Sequence, residues 1–189
     1  MSIAKYLTLA SVLVAASLYL TAPAYAGPAD FKMGQTIPEF GKIAQVDVDQ
    51  PVYKHHKFKI AFDVSKQADI GTLNRSFESA ARFINMHTAA GVKDKNIKIA
   101  IVLHSKAAFD VTNANTYSRQ QDSHDKAPNA NAALVKALQE HGVTFYVCGQ
   151  TAAYYDIKNE DLLPGVQMSL SAMTAHALLQ QKGYTLNPF

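Results

Sequence analysis

The chain has 189 residues, 48% of them hydrophobic and 17% charged, with a net charge of +3. That balance excludes an intrinsically disordered chain and leaves enough apolar material for one domain core plus extensions. Lysine and arginine are scattered with no basic stripe interleaved with aromatics, so nucleic acid is not an expected partner.

The first residues read as an address. Met1 to Lys5 is short and positive, Tyr6 to Leu20 is apolar without charge, and Ala24-Tyr25-Ala26 is a small-x-small site. This is the pattern of a secretory signal peptide over residues 1–26, cut after Ala26. The alternative is a retained anchor, for which the apolar run is short. The expectation is a periplasmic or secreted protein with no membrane association after cleavage. No cysteine lies near the cleavage site, which argues against a lipid anchor. Residues 27–57 hold Pro28, Pro38 and Pro51 and no sustained period. They read as an irregular leader with Phe31, Ile37, Phe40 and Ile43 as candidate anchors.

The regular pattern begins at Phe58 and defines a domain over residues 58–189. Phe58 to Val64 alternates and then turns apolar, as a first strand does. Thr72 is a candidate N-cap for a helix carrying Leu73, Phe77, Ala80, Ala81, Ile84 and His87, stopped by Gly91. Ile97 to Leu103 is an almost unbroken β-branched run, the mark of a strand covered on both faces. Ser105 to Asn129 is long and polar, with some helix expected around Ala107 to Tyr117; loops of that length are usually functional or interfacial. Asn131 is a candidate cap for a helix with Leu134, Ala137 and Leu138. Val143 to Val147 is a third strand, ending in Cys148, and Thr151 is a candidate cap for a short helix beyond it. Val166 to Leu170 is a fourth strand, Ser171 opens a helix stopped by Gly183, and Tyr184 to Leu186 is a possible fifth strand. Alternating strands and helices predict a three-layer α/β/α domain around a mostly parallel sheet of about five strands.

Cys148 is the only cysteine, so no intramolecular disulfide can form. A single thiol in an exported protein is either a reactive group or a small buried hydrophobe. Its place at a strand-to-helix junction favours a thiolate, because free helix N–H groups gather there. In a parallel α/β sheet, sites form at the carboxyl ends of strands. Asp63, His104 and Cys148 all fall there. A histidine near the thiol can pair with a thiolate or move its proton, and a carboxylate can orient the histidine. No C-x-x-C, no dinucleotide or P-loop glycine pattern and no metal-ligand spacing is present, so no cofactor and no metal is expected. Asn85-Met86-His87 and Ser171-Ala172-Met173-Thr174 read as packing segments.

Several segments carry a family resemblance in their order and spacing. They include Phe83-Ile84-Asn85-Met86-His87, Ile101-Val102-Leu103-His104, Asn129-Ala130-Asn131, Val147-Cys148-Gly149-Gln150-Thr151 and Leu170-Ser171-Ala172-Met173-Thr174-Ala175. On these residues the chain resembles an exported member of the DsrE/DsrF-like family, single-cysteine α/β proteins related to sulfur-relay components. The resemblance implies a three-layer fold, a trimeric or hexameric homo-oligomer, and a cysteine that carries sulfur as a persulfide. Cys148 matches that cysteine. A protein that donates or accepts sulfur is then an implied partner. One position departs from the pattern: glycine often follows the histidine in the family, and here the residue is Ser105. The candidate catalytic residues are Cys148 and His104. The candidate binding residues are Asp63, Gly149, Gln150 and Thr151. The rival expectation is a non-enzymatic oligomeric protein that binds a small ligand or partner and keeps its cysteine buried. A redox sensor ranks behind both, because no second cysteine is present to resolve an oxidised thiol.

Overall fold

The structure is a computed structural model that describes residues 27–122 and 126–187. The expected signal peptide lies outside the described residues. Five strands form one sheet in the order β4-β3-β2-β1-β5, and every neighbouring pair is parallel. They are β1 (Phe58–Val64), β2 (Ile97–Leu103), β3 (Thr144–Cys148), β4 (Gln167–Ser169) and β5 (Thr185–Asn187). The helices are α1 (Arg75–Ala89), α2 (Ala114–Ser118), α3 (Asn131–Glu140), α4 (Gly149–Tyr154) and α5 (Ala172–Gln181). The expected α/β architecture is therefore present, with β4 shorter than the run Val166 to Leu170 that signalled it and β5 shifted by one residue from Tyr184 to Leu186.

Side-chain alternation along each strand assigns the layers. Ile60, Phe62 and Val64 of β1, Ile99, Ile101 and Leu103 of β2, and Phe145 and Val147 of β3 share one core with α1 and α3. Phe77, Ala80, Ala81 and Ile84 supply the α1 side of that core, and Leu134, Val135 and Leu138 the α3 side. The opposite parity faces α5, where Ala61, Ala100 and Val102 meet Ala175 and Leu179. Ala61 and Ala100 are register partners, so two methyl groups lie side by side and α5 can seat close to the sheet. Among the described residues, α5 is the helix whose buried side chains pack on this face.

The leader is fastened to α1 by Asn85, with Thr88 bonding Thr36 at 2.7 Å and Arg82 Nε donating to the Lys42 carbonyl at 2.8 Å. Asn85 of α1 is 1% exposed and accepts from the Ile37 amide at 2.8 Å. Its own amide group donates to the carbonyls of Ile37, Phe40 and Gly41. Ile37 is buried beside it, as expected of an anchor. Phe31 is not an anchor: it is exposed, with the Arg82 guanidinium 5.8 Å from its ring centre.

Three expected caps are displaced, and each has a physical cause. The cap of α1 is Asn74, whose side chain accepts from the Ser76 amide, rather than Thr72. Thr72 instead turns its hydroxyl back to the Asp69 carbonyl. Asn131 is the first residue of α3 and not its cap, because its amide oxygen accepts from the Asn74 backbone at 2.6 Å. Thr151 lies inside α4, which begins two residues earlier and has Cys148 at its cap position.

The Ser105–Asn129 segment is less open than its polarity implies. It starts as a 3-10 helix over Ser105–Val111 with Ala107, Ala108, Phe109, Asp110 and Val111 buried, and continues into α2. Its polar groups find internal partners. Asp110 is fully buried and accepts from the Ala68 amide at 2.9 Å and from Asn74 Nδ2 at 2.7 Å. Its second oxygen, Oδ1, has no hydrogen-bond partner. Burial pushes the Asp110 carboxyl up to about 6 from 3.8, against the pull of its two donors. The folded state thus prefers the protonated acid. The stability this group lends is full at low pH and is lost as pH rises through about 6. Between pH ~4.5 and ~7.5 the linkage amounts to about 2 kcal/mol. Asp110→Asn keeps an acceptor for both donors and cannot ionise. Urea unfolding at those two pH values should show that the variant lacks this part of the wild-type loss and is the more stable protein at the higher pH.

Candidate functional site

Strand parity gathers the polar residues. Asp63 has the parity of Ala61, His104 that of Val102, and Cys148 that of Tyr146, so all three leave the sheet on the α5 side. The register pairs Val64 with Leu103 and Leu103 with Val147, which sets His104 and Cys148 level at the carboxyl edge and Asp63 one pleat below. The first turn of α5 passes over them. Together they line a cleft of about 390 Å³, joined by Gln150 and Thr151 of α4 and by Ser171, Ala172, Met173 and His176.

Cys148 is 7% exposed at the floor of this cleft. Burial alone would raise its thiol. The backbone amides of Thr151, Ala172 and Gln150 and the Thr151 hydroxyl favour the thiolate form and outweigh that burial, so the thiol lies below its ordinary value. Gln150 and Thr151 lie in the first turn of α4, and Ala172 is the first residue of α5. Their N–H groups have no carbonyl to bond within the helix, and the partial positive charge they carry favours the thiolate form.

The other half of the site is a carboxylate between two imidazoles. Asp63 Oδ2 lies 3.2 Å from His104 Nε2, and Oδ1 lies 2.8 Å from His176 Nε2. Partial burial works against the Asp63 charge, but the hydrogen bonds from His176 and His104 and their positive charge outweigh it and hold the carboxyl below its usual range. His104 also bonds through Nδ1 to Ser105 Oγ at 3.1 Å. Among the groups that lower the Cys148 thiol, the hydrogen-bonding N–H and hydroxyl groups stand where an imidazole had been expected.

The other candidate residues have distinct places. Thr151 is central, since its hydroxyl also accepts from the Ser105 amide at 3.2 Å and so joins the loop after β2 to the sulfur. Gln150 sends its side-chain amide to the Leu170 carbonyl at 3.2 Å, tying α4 to the segment that enters α5. Gly149 is not among the cleft-lining residues, and its contribution is the absence of a side chain. A Cβ there would come within 2.6 Å of the Ser169 carbonyl oxygen. Ser105 adopts φ of +52°, a left-handed conformation that favours glycine. The serine at this departure from the family pattern therefore carries backbone strain and gains the contact with His104.

His176 was not marked in the sequence, and Ser171, Ala172 and Met173 had been read as packing. Periodicity places His176 one turn beyond Ala172 on α5, but only the docking of α5 across the sheet brings it to Asp63. Among the described residues no cluster of three or more metal-ligating side chains occurs, and no helix is long and apolar enough to cross a membrane.

Comparison with known proteins agrees with the fold. The model of the DsrE/DsrF-like family matches residues 58–188, and the chain belongs to that family. Among solved structures it is similar to a protein of unknown function, MTH1491, from Methanobacterium thermoautotrophicum. That match has 17% identity and a TM-score of 0.51, and covers 70% of this chain and 100% of the other. A second similar structure is the ychN protein from E. coli, with 16% identity, a TM-score of 0.44 and the same coverage of 70% and 100%. No curated protein sequence matches the chain.

Two substitutions test this construction. Thr151→Val removes the hydroxyl and keeps the bulk, so the pH profile of Cys148 alkylation by iodoacetamide should move to higher pH; an unmoved profile would show that the hydroxyl does not hold the thiolate. Ser105→Gly removes the left-handed strain and should raise stability by about 1 kcal/mol in urea unfolding. A lower stability would mean that the hydroxyl bond to His104 outweighs the strain.

Proposed function

We propose that this protein handles sulfane sulfur in the periplasm by carrying it as a persulfide on Cys148. The observation that carries this reading is the group of helix N–H groups and the Thr151 hydroxyl around the one thiol of the chain, which lowers its pKa at the floor of an open cleft. A thiol used only for packing gains nothing from such donors, whereas a nucleophile does. Membership of the DsrE/DsrF-like family supports a sulfur-relay role. The export pattern of residues 1–26 supports the location.

The step is a two-electron displacement. The Cys148 thiolate attacks the terminal sulfur of R–S–SH, the bond from that sulfur to the donor breaks, and R–S⁻ leaves. The product is Cys148–S–SH, and the sulfane sulfur keeps its oxidation level. Its extra sulfur then lies within the cleft for a second thiol or protein acceptor to collect. No other cysteine competes for it within the chain. We also propose that copies of the chain assemble through the α5 side. Leu170, Met173, Leu178 and Leu186 are all exposed there or at the adjoining strand ends, and a homo-oligomer would cover them.

The deciding experiment exposes the protein to glutathione persulfide and reads its intact mass. Wild type should gain one sulfur atom that is removed by reductant, and Cys148→Ser should gain none. Wild-type protein that takes up no sulfur would end this reading and leave Cys148 as a structural thiol.

A further inference from the structure

Nothing described so far gives a task to the carboxylate shared by two histidines. We propose that His176, held by Asp63, is the proton donor to the thiolate that leaves when Cys148 attacks, which makes an alkyl persulfide or polysulfide the class of donor this cleft takes. This rests on Cys148 being the nucleophile.

A thiol of ordinary basicity, with a pKa of roughly 8.5, is a poor leaving group as an anion and a better one when protonated as it departs. Cys148 cannot supply that proton, because it attacks as the thiolate. The titratable groups that line the cleft are Asp63 from β1, His104 after β2, Cys148 from β3 and His176 from α5. Asp63 is held ionised and accepts from both imidazoles, so it orients rather than donates. His104 is engaged at both ring nitrogens, with Asp63 and with Ser105. His176 uses Nε2 toward Asp63 at 2.8 Å, and no hydrogen bond to its Nδ1 is found among the described residues. Its side chain is 16% exposed against 29% for His104, so it is the more enclosed of the two.

This is the arrangement of an acid–base histidine: one ring nitrogen fixed by a carboxylate, the other free to carry the proton. The step balances as Cys148–S⁻ plus R–S–SH plus imidazolium giving Cys148–S–SH plus R–SH plus imidazole. The imidazole regains its proton from solvent. A donor such as thiosulfate releases sulfite, which needs no proton to leave, and would draw nothing from His176. Asp63 is a positioning residue in this scheme, and His104 is the second clamp that keeps the carboxylate aimed.

The test compares leaving groups on the full chain, using disulfide exchange at Cys148 so that the result does not depend on sulfane transfer. Dithiobis-nitrobenzoate releases a thiolate stabilised by its nitroaryl ring. Oxidised glutathione releases an alkyl thiolate that benefits from a proton. His176→Gln and Asp63→Asn should leave the rate with the first reagent within about twofold of wild type. They should slow the second by about 100-fold. An equal loss with both reagents, or no loss with either, would overturn the assignment. If wild type exchanges with both reagents but takes no sulfur from glutathione persulfide, the sulfane reading fails and the proton donor stands. If wild type exchanges with neither, Cys148 is not a nucleophile and both fall.

Discussion

The site depends on the close seating of α5 against the sheet where Ala61, Ala100 and Val102 lie beneath it. Ala61 and Ala100 offer methyl groups to the helix, and this lets the backbone at Ala172 and the ring of His176 reach Cys148 and Asp63. Larger side chains at those two strand positions would lift the helix. The Ala172 hydrogen bond and the His176 contact would lengthen together, and each weakens steeply with distance. The chemistry therefore rests on packing two pleats below it.

The two faces of the sheet divide the work. The face toward α1 and α3 holds the large core of Phe62, Phe77, Phe145 and the branched residues, and the leader is strapped beside it through Asn85. The face toward α5 has a small core and all four titratable groups of the cleft. The main core and the cleft thus draw on opposite parities of the same strands. Phe62 belongs to the packing, and its neighbour Asp63 lines the cleft.

Much of this was legible in the sequence because strand alternation and helical spacing are local signals. The runs Phe58–Val64 and Ile97–Leu103 and the periodic face of α1 follow from them directly. Asp63, His104 and Cys148 were legible as a group because a parallel sheet puts strand ends at one edge. His176 was not, since its relation to Asp63 spans 113 positions and exists only after α5 docks. The Ala172 amide was not, because a backbone N–H has no residue signature. Asp110 reads in sequence as part of a polar loop and Asn131 as a helix cap, because a polar residue with an internal partner looks in sequence like one facing water. Ser105 is the opposite case. The family resemblance marked the position as unusual, and only the backbone angle gives the reason.

The first turn of α5 also couples surface to sulfur. Leu170 and Met173 flank the Ala172 amide and are 72% and 80% exposed, while that amide helps set the charge on Cys148. A neighbour that grips those two side chains pulls on the same peptide units that present the hydrogen bond. Contact made entirely outside the cleft would thereby raise or lower the fraction of thiolate within it. The thiol is in this sense a gauge of what is touching the rim, with the helix turn as its spring.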